Sequence, residues 1–162
     1  MLEIPTTRPT RLCLVRHGET EWNAERRIQG QIDIGLNPGG LRQAEAAGRW
    51  LQRAGLVALY SSDLQRAWHT ACAIGAATGL DPIAMPALRE RRYGIFEGLT
   101  YAELAASHPA GYAAFEARDP DYDFESGESL KAMYARVTGC LQALAASHPG
   151  MAIGLVLHGG VL

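Results

Sequence analysis

The chain has 162 residues, is 48% hydrophobic, and sets 15 Lys and Arg against 17 Asp and Glu for a formal net charge of -2. That length supports one domain with a real core, and that charge lacks the basic face that general nucleic-acid binding requires. No apolar run approaches the ~20 residues of a membrane span, and the first residues, MLEIPTTRPTR, contain no hydrophobic signal core. Cys13, Cys72 and Cys140 are far apart with no metal-binding spacing, so a reducing, cytoplasmic setting is expected. Lys131 is the only lysine, and arginine is the better bidentate ligand for phosphate or carboxylate.

In chain order, apolar runs alternate with helical periodicity. A first strand is predicted over Leu12 to Val15, followed by a polar loop through NAERRIQGQIDIGLN. Asn37 then caps a helix with Pro38 at its first position, an inner face of Leu41, Ala44, Gly48 and Leu51, and Gly55 at its end. A second strand is expected over Leu56 to Tyr60. Ser61, Ser62 and Asp63 are expected to cap the next helix, which carries Leu64, Ala67, Ala71 and Ile74 inward and stops at Gly79.

A short third strand is expected around Ile83 to Leu88. Thr100 and Glu103 have capping-box spacing, and ARDPDYDFESGES reads as a polar, flexible segment. The longest helix carries the stripe Leu130, Met133, Val137, Leu141 and Leu144 before Pro149 and Gly150 break it. A fourth strand follows over Ala152 to Leu157. This alternation predicts an α/β fold of three layers, a mostly parallel sheet with helices on both faces. The chain stops just after LVLHGG, where a domain ordinarily continues. The expectation is a single domain over 1–162, truncated at its C-terminus.

Ligands of such sheets bind at the carboxyl ends of the strands. Strand 1 ends at Arg16-His17-Gly18 and strand 2 leads to Arg66. Strand 3 leads to Arg89-Glu90-Arg91 and strand 4 ends at His158-Gly159-Gly160. Two histidines, two arginines and a glutamate at one edge describe a phosphate site. A neutral imidazole can attack phosphorus, arginines can clamp its oxygens, a second histidine can donate to them, and a carboxylic acid can protonate the leaving oxygen. The chemistry needs no metal. Arg66 in the first turn of its helix adds the positive helix end. Glu97 competes with Glu90 as the acid, and Arg89, Arg91 and Arg92 compete as structural partners of Glu90. His69, His108 and His148 read as structural or exposed, and Trp22, Trp50 and Trp68 as packing residues.

The segments LVRHGETEWN, YSSDLQRAWHTA, LRERRYGIFEG, SGESL and LVLHGG resemble, in order, the histidine phosphatase superfamily, the branch shared by cofactor-dependent phosphoglycerate mutases and small-molecule phosphatases. The resemblance implies a phosphoglycerate mutase-like fold. It makes His17 the nucleophile that becomes phosphohistidine, Arg16, Arg66 and His158 the phosphoryl ligands, and Glu90 the proton donor. It places Thr20 and Asn23 against phosphoryl group or substrate, Gln29 and Gly30 in the pocket loop, and the Gly159 N–H within reach of ligand. Gly18 leaves the backbone room to turn.

The implied activity is phosphoric monoester hydrolysis on a small phosphorylated metabolite. No cofactor, nucleic acid or membrane is implied, and a homodimer is left open. The alternative is a phosphoglycerate mutase, which would need 2,3-bisphosphoglycerate as primer. The short stretch between Gly98 and Glu128 favours hydrolysis, because a mutase must shield phosphohistidine from water. A non-catalytic phosphate-binding module would lack His17, Glu90 or His158, and all three are present.

Overall fold

A computed structural model describes residues 8–162. Four parallel strands form one sheet in the order β1-β4-β2-β3, with β1 at Arg11–Arg16, β2 at Leu56–Ser61, β3 at Pro82–Ala84 and β4 at Ala152–Leu157. The expected α/β fold with helices on both faces is what forms. β4 sits centrally and every one of its residues is buried, as its unbroken apolar run requires for a strand covered on two sides. β2 carries one bulge against β4, at Val57.

Among the described residues, six helices accompany the sheet: α1 (Glu21–Ala24), α2 (Pro38–Leu51), α3 (Gln65–Thr78), α4 (Tyr101–Ser107), α5 (Pro109–Glu116) and α6 (Leu130–Ser147). Leu51 of α2 and Ala67, Ala71 and Ile74 of α3 pack with Leu59 and Val156 on one face. Leu144 of α6 packs with Ile153, Leu155 and Leu157 on the other. A third cluster, Ile28, Phe96, Leu104 and Phe124, lies under α4 and α5, beyond the sheet.

Several local expectations are corrected. Leu41 is 49% exposed, and Gly40 takes the inward position it was expected to hold. α2 ends at Leu51 with Gln52 as its cap, so Gly55 shapes the following turn rather than the helix end. The serines do not cap α3. Ser61 finishes β2, the N-cap position is Leu64, and the Ser62 hydroxyl accepts from the Leu64 N–H. Strand 3 is shorter than expected, because Pro86–Leu88 form a 3₁₀ turn.

The segment read as flexible begins after an unexpected helix, α5, and contains Phe124, which is fully buried. Phe124 is in edge contact with Phe96, Tyr122 and Tyr93, and the Arg91 guanidinium lies 4.3 Å above its ring. Its local sequence is polar, so the burial comes wholly from tertiary contacts. Trp50, expected to pack, is 78% exposed.

Candidate active site

The two histidines meet because of strand register. β1 and β4 are parallel neighbours with Arg16 paired to Leu157, so the next residue on each strand is a histidine at the same height. His17 N–H donates to Leu157 O at 3.0 Å, and the ring centroids lie 5.1 Å apart, close to the spacing between adjacent strands.

His17 Nδ1 is 2.7 Å from the Gly18 carbonyl. A carbonyl only accepts, so Nδ1 carries the proton and the Nε2 lone pair is free. Burial brings the His17 pKa down to about 4, against the Gly18 carbonyl, with Arg66 and Arg16 adding to the decrease. The ring is therefore neutral and nucleophilic near pH 7. His158 is completely buried, and neither ring nitrogen has a hydrogen-bond partner among the described residues. Burial, and then Arg66, hold it neutral as well. A neutral imidazole still offers one N–H donor.

Arg66, in the first turn of α3, is buried. Its Nη1 donates to Ile32 O at 2.9 Å and its Nη2 to Gly30 O at 2.6 Å, while Nε has no partner among the described residues. Two carbonyls thus fix the plane of the guanidinium and leave donors over. Glu90 is buried, accepting from Arg91 N–H at 2.8 Å and Gly160 N–H at 2.9 Å. Burial raises its pKa despite those bonds and the nearby Arg66 and Arg16, the direction a proton donor needs.

The competing partners of Glu90 are engaged elsewhere. Arg89 pairs with Asp63, Arg91 donates to the carbonyls of Glu128 and Tyr122, and Arg92 donates to that of Gly127. Glu97 accepts from the N–H groups of Gln31 and Tyr93 and does not line the cavity, whereas Glu90 does.

These groups open onto one cavity of about 380 Å³. Of the residues expected there, Arg16, His17, Asn23, Gln29, Gly30, Arg66, Glu90 and Gly159 line it. His158 is buried against His17 and is not one of the lining residues. Thr20 does not line it: the residue is fully buried and caps α1, its backbone N–H and hydroxyl donating to Asn23 Oδ1. That leaves the Asn23 NH₂ as its free end.

Gly18 provides the room expected of it. Its φ is not positive, and the requirement is space, since a Cβ there would collide with the Gly40 carbonyl. Sequence reasoning missed Arg27, Tyr93, Tyr101, Phe115 and Arg118 in the wall. Tyr93 and Arg27 lie within segments already singled out. Nothing local marks Phe115 or Arg118, which reach the cavity only because α5 folds over it. Arg27 is paired with Glu25 and Glu103, which leaves Arg16, Arg66 and Arg118 against the single carboxylate Glu90, so the cavity is electropositive. Among the described residues, no cluster of three or more His, Cys, Asp or Glu is placed to hold a metal ion, and no helix is long and apolar enough to cross a membrane.

A family model described as the histidine phosphatase superfamily (branch 1) matches residues 12–162. The chain is 45% identical over 157 residues to a metal-independent phosphoserine phosphatase of Arabidopsis thaliana, covering 94% of this chain and 66% of that protein. It is 43% identical over 154 residues to phosphoglycerate mutase-like protein 4 of the same plant, covering 93% and 67%. The chain thus spans about two thirds of the length of these relatives. A mycobacterial glucosyl-3-phosphoglycerate phosphatase solved with VO3 superimposes with a TM-score of 0.86 at 37% identity, over 93% of this chain and 77% of that one.

Proposed function

Since the chain belongs to branch 1 of the histidine phosphatase superfamily, we propose that it hydrolyses phosphoric monoesters of small metabolites through a phosphohistidine on His17. The observation that carries this reading is the neutral His17 imidazole, its Nδ1–H tied to Gly18 O and its Nε2 free, in a cavity with the Arg66 guanidinium. Nε2 attacks phosphorus and the ester P–O bond breaks. The leaving oxygen takes the proton of Glu90 and departs as an alcohol. Arg16, Arg66 and the His158 N–H bind the phosphoryl oxygens as charge builds on them. Water then attacks phosphorus and gives its proton to the Glu90 carboxylate. The P–N electron pair returns to Nε2, and inorganic phosphate leaves.

Arg27 and Arg118 line the same cavity beside Tyr101 and Phe115. Arg27 is paired with Glu25 and Glu103, so Arg118 supplies the positive charge beyond the two phosphoryl arginines, which suits a phosphoester bearing a carboxylate. Phosphoserine and glucosyl-3-phosphoglycerate, named for the relatives, are the first substrates to try. The stretch between Gly98 and Glu128 holds only the short helices α4 and α5 and the segment that follows, and water as acceptor suits so short a stretch better than a retained intermediate.

The test is a metabolite phosphatase screen with 3-phosphoglycerate plus 2,3-bisphosphoglycerate in parallel. Phosphate release, abolished in His17→Ala, is expected. An alkaline denaturing quench should trap a base-stable, acid-labile phosphoryl group on His17. Fast interconversion of phosphoglycerates with negligible phosphate release would assign the mutase activity instead.

A further inference from the structure

Glu97 lies outside the cavity wall yet touches the supports of three groups in or around it. Its Oε1 accepts from Gln31 N–H at 3.0 Å and from Tyr93 N–H at 2.9 Å. The 30–32 loop held on one side supplies the carbonyls of Gly30 and Ile32, which fix both terminal nitrogens of Arg66. The side chain of Gln31 donates from Nε2 to the Glu90 carbonyl at 3.0 Å, so the same loop also steadies the backbone of the acid. Tyr93 lines the cavity. Gly30 has a φ of 52°, and the Glu97 carboxylate fills the volume that a side chain at position 30 would need. The loop is therefore shaped around this one carboxylate. Arg27 pairing with Thr100, together with Gly98 N–H to Ile28 O at 2.8 Å, closes the same seam.

We propose that Glu97 is a positioning residue: it sets the loop whose carbonyls aim the Arg66 guanidinium at the phosphoryl group, with Gln31 extending that control to Glu90. This rests on the reading of Arg66 as a phosphoryl ligand. The required feature of Glu97 is one acceptor oxygen shared by two N–H donors. A glutamine amide provides that oxygen and alanine does not. Negative charge is secondary, since Asp33 also faces Arg66.

The experiment compares Glu97→Ala, Glu97→Gln, Gln31→Ala and Arg66→Ala in the full chain. The readouts are kcat, KM, the pH profile and inhibition by orthovanadate, a mimic of the trigonal transition state, against inhibition by inorganic phosphate. Glu97→Ala should weaken vanadate at least tenfold, weaken phosphate much less, and lower kcat more than it raises KM. Glu97→Gln should stay within threefold of the parent on each.

Gln31→Ala keeps its backbone N–H, so it should leave vanadate inhibition nearly unchanged while moving the alkaline limb of the pH profile that Glu90 governs. Thermal unfolding identifies variants that fail to fold; if Glu97→Ala is one of them, Glu97→Gln and Gln31→Ala decide. A merely structural role would lower stability in Glu97→Ala with vanadate and phosphate inhibition unchanged, and that result overturns the proposal. If Arg66→Ala weakens vanadate but folded Glu97→Ala does not, the positioning role fails alone. If Arg66→Ala leaves vanadate inhibition intact, the phosphoryl reading of Arg66 fails and takes the proposal with it.

Discussion

At the scale of the residue, the site is built on two ionisable groups moved in opposite directions by one cause. Burial disfavours charge, so it lowers the pKa of His17 and raises that of Glu90. The nucleophile's Nε2 is unprotonated and the acid keeps its proton, which is the pairing that attack and leaving-group protonation need. Glu90→Gln should therefore lose about 10²–10⁴-fold on an alkyl phosphate. It should lose far less on an aryl phosphate whose leaving oxygen needs no proton. Equal losses on the two esters, measured as kcat/KM, would remove Glu90 from that role. The same burial couples to stability. Between pH 6.5 and about 4, an unfolded His17 takes up a proton that the folded one refuses. Stability therefore falls as the pH drops through that window, by roughly 3 kcal/mol in all. His158 acts with the same sign. Urea unfolding of His17→Gln from pH 7 to 4.5 should show a shallower slope than the parent, and an identical slope would contradict the assignment.

At the scale of the element, α2 is locked to the catalytic loop through glycine on both sides. A Cβ at Gly18 would strike the Gly40 carbonyl, and one at Gly40 would strike the Glu19 carbonyl. Both obstacles are backbone, so neither can rotate away. Gly40→Ala is expected to cost about 1–3 kcal/mol by overpacking and to lower kcat by displacing the 17–20 segment. Gly139 in α6 is the contrast: it is exposed, and a Cβ there meets nothing within 4 Å. Gly139→Ala should stabilise the chain by roughly 0.5–1 kcal/mol through helix propensity alone, with activity unchanged. Thermal melts and initial rates of the two variants check both halves, and a stable, fully active Gly40→Ala would discard the interlock.

At the scale of the whole molecule, the long helix on one sheet face braces the turn that carries the acid. Arg136 of α6 makes a bidentate pair with Glu128, at 2.8 and 2.7 Å, and donates to the carbonyls of Ala87 and Arg89. Those carbonyls belong to the turn that delivers Glu90. Arg136→Ala should leave a partly buried carboxylate and two carbonyls without donors, costing about 1–3 kcal/mol. It should also lower kcat, because Glu90 loses its brace. Urea unfolding and kcat measured together decide this; unchanged values of both would show that α6 supplies packing only.

How much of this was legible in the sequence depends on how far apart the interacting residues lie. His17 and His158 could be placed from the sequence because each follows a strand directly, and parallel register then carries strand ends to one edge; Arg66 and Glu90 follow β2 and β3 only after an intervening turn. The order of apolar runs fixed which edge. The sequence also determined the capping box at Thr100 and Glu103, which forms as expected, because all its partners lie within one turn. Other features depended on contacts distant in the chain. Phe124 is buried by a cluster assembled from separate segments. Arg118 enters the cavity because α5 folds across it. Gly18 is required by Gly40 rather than by its own dihedral angles. The sequence favoured Glu90 over Glu97 by its place after strand 3 and by the family resemblance; the tertiary fold put Glu90 in the cavity and Glu97 behind the loop. Local hydrogen bonds and periodicity are written in neighbouring residues, whereas space and burial exist only after the chain has packed.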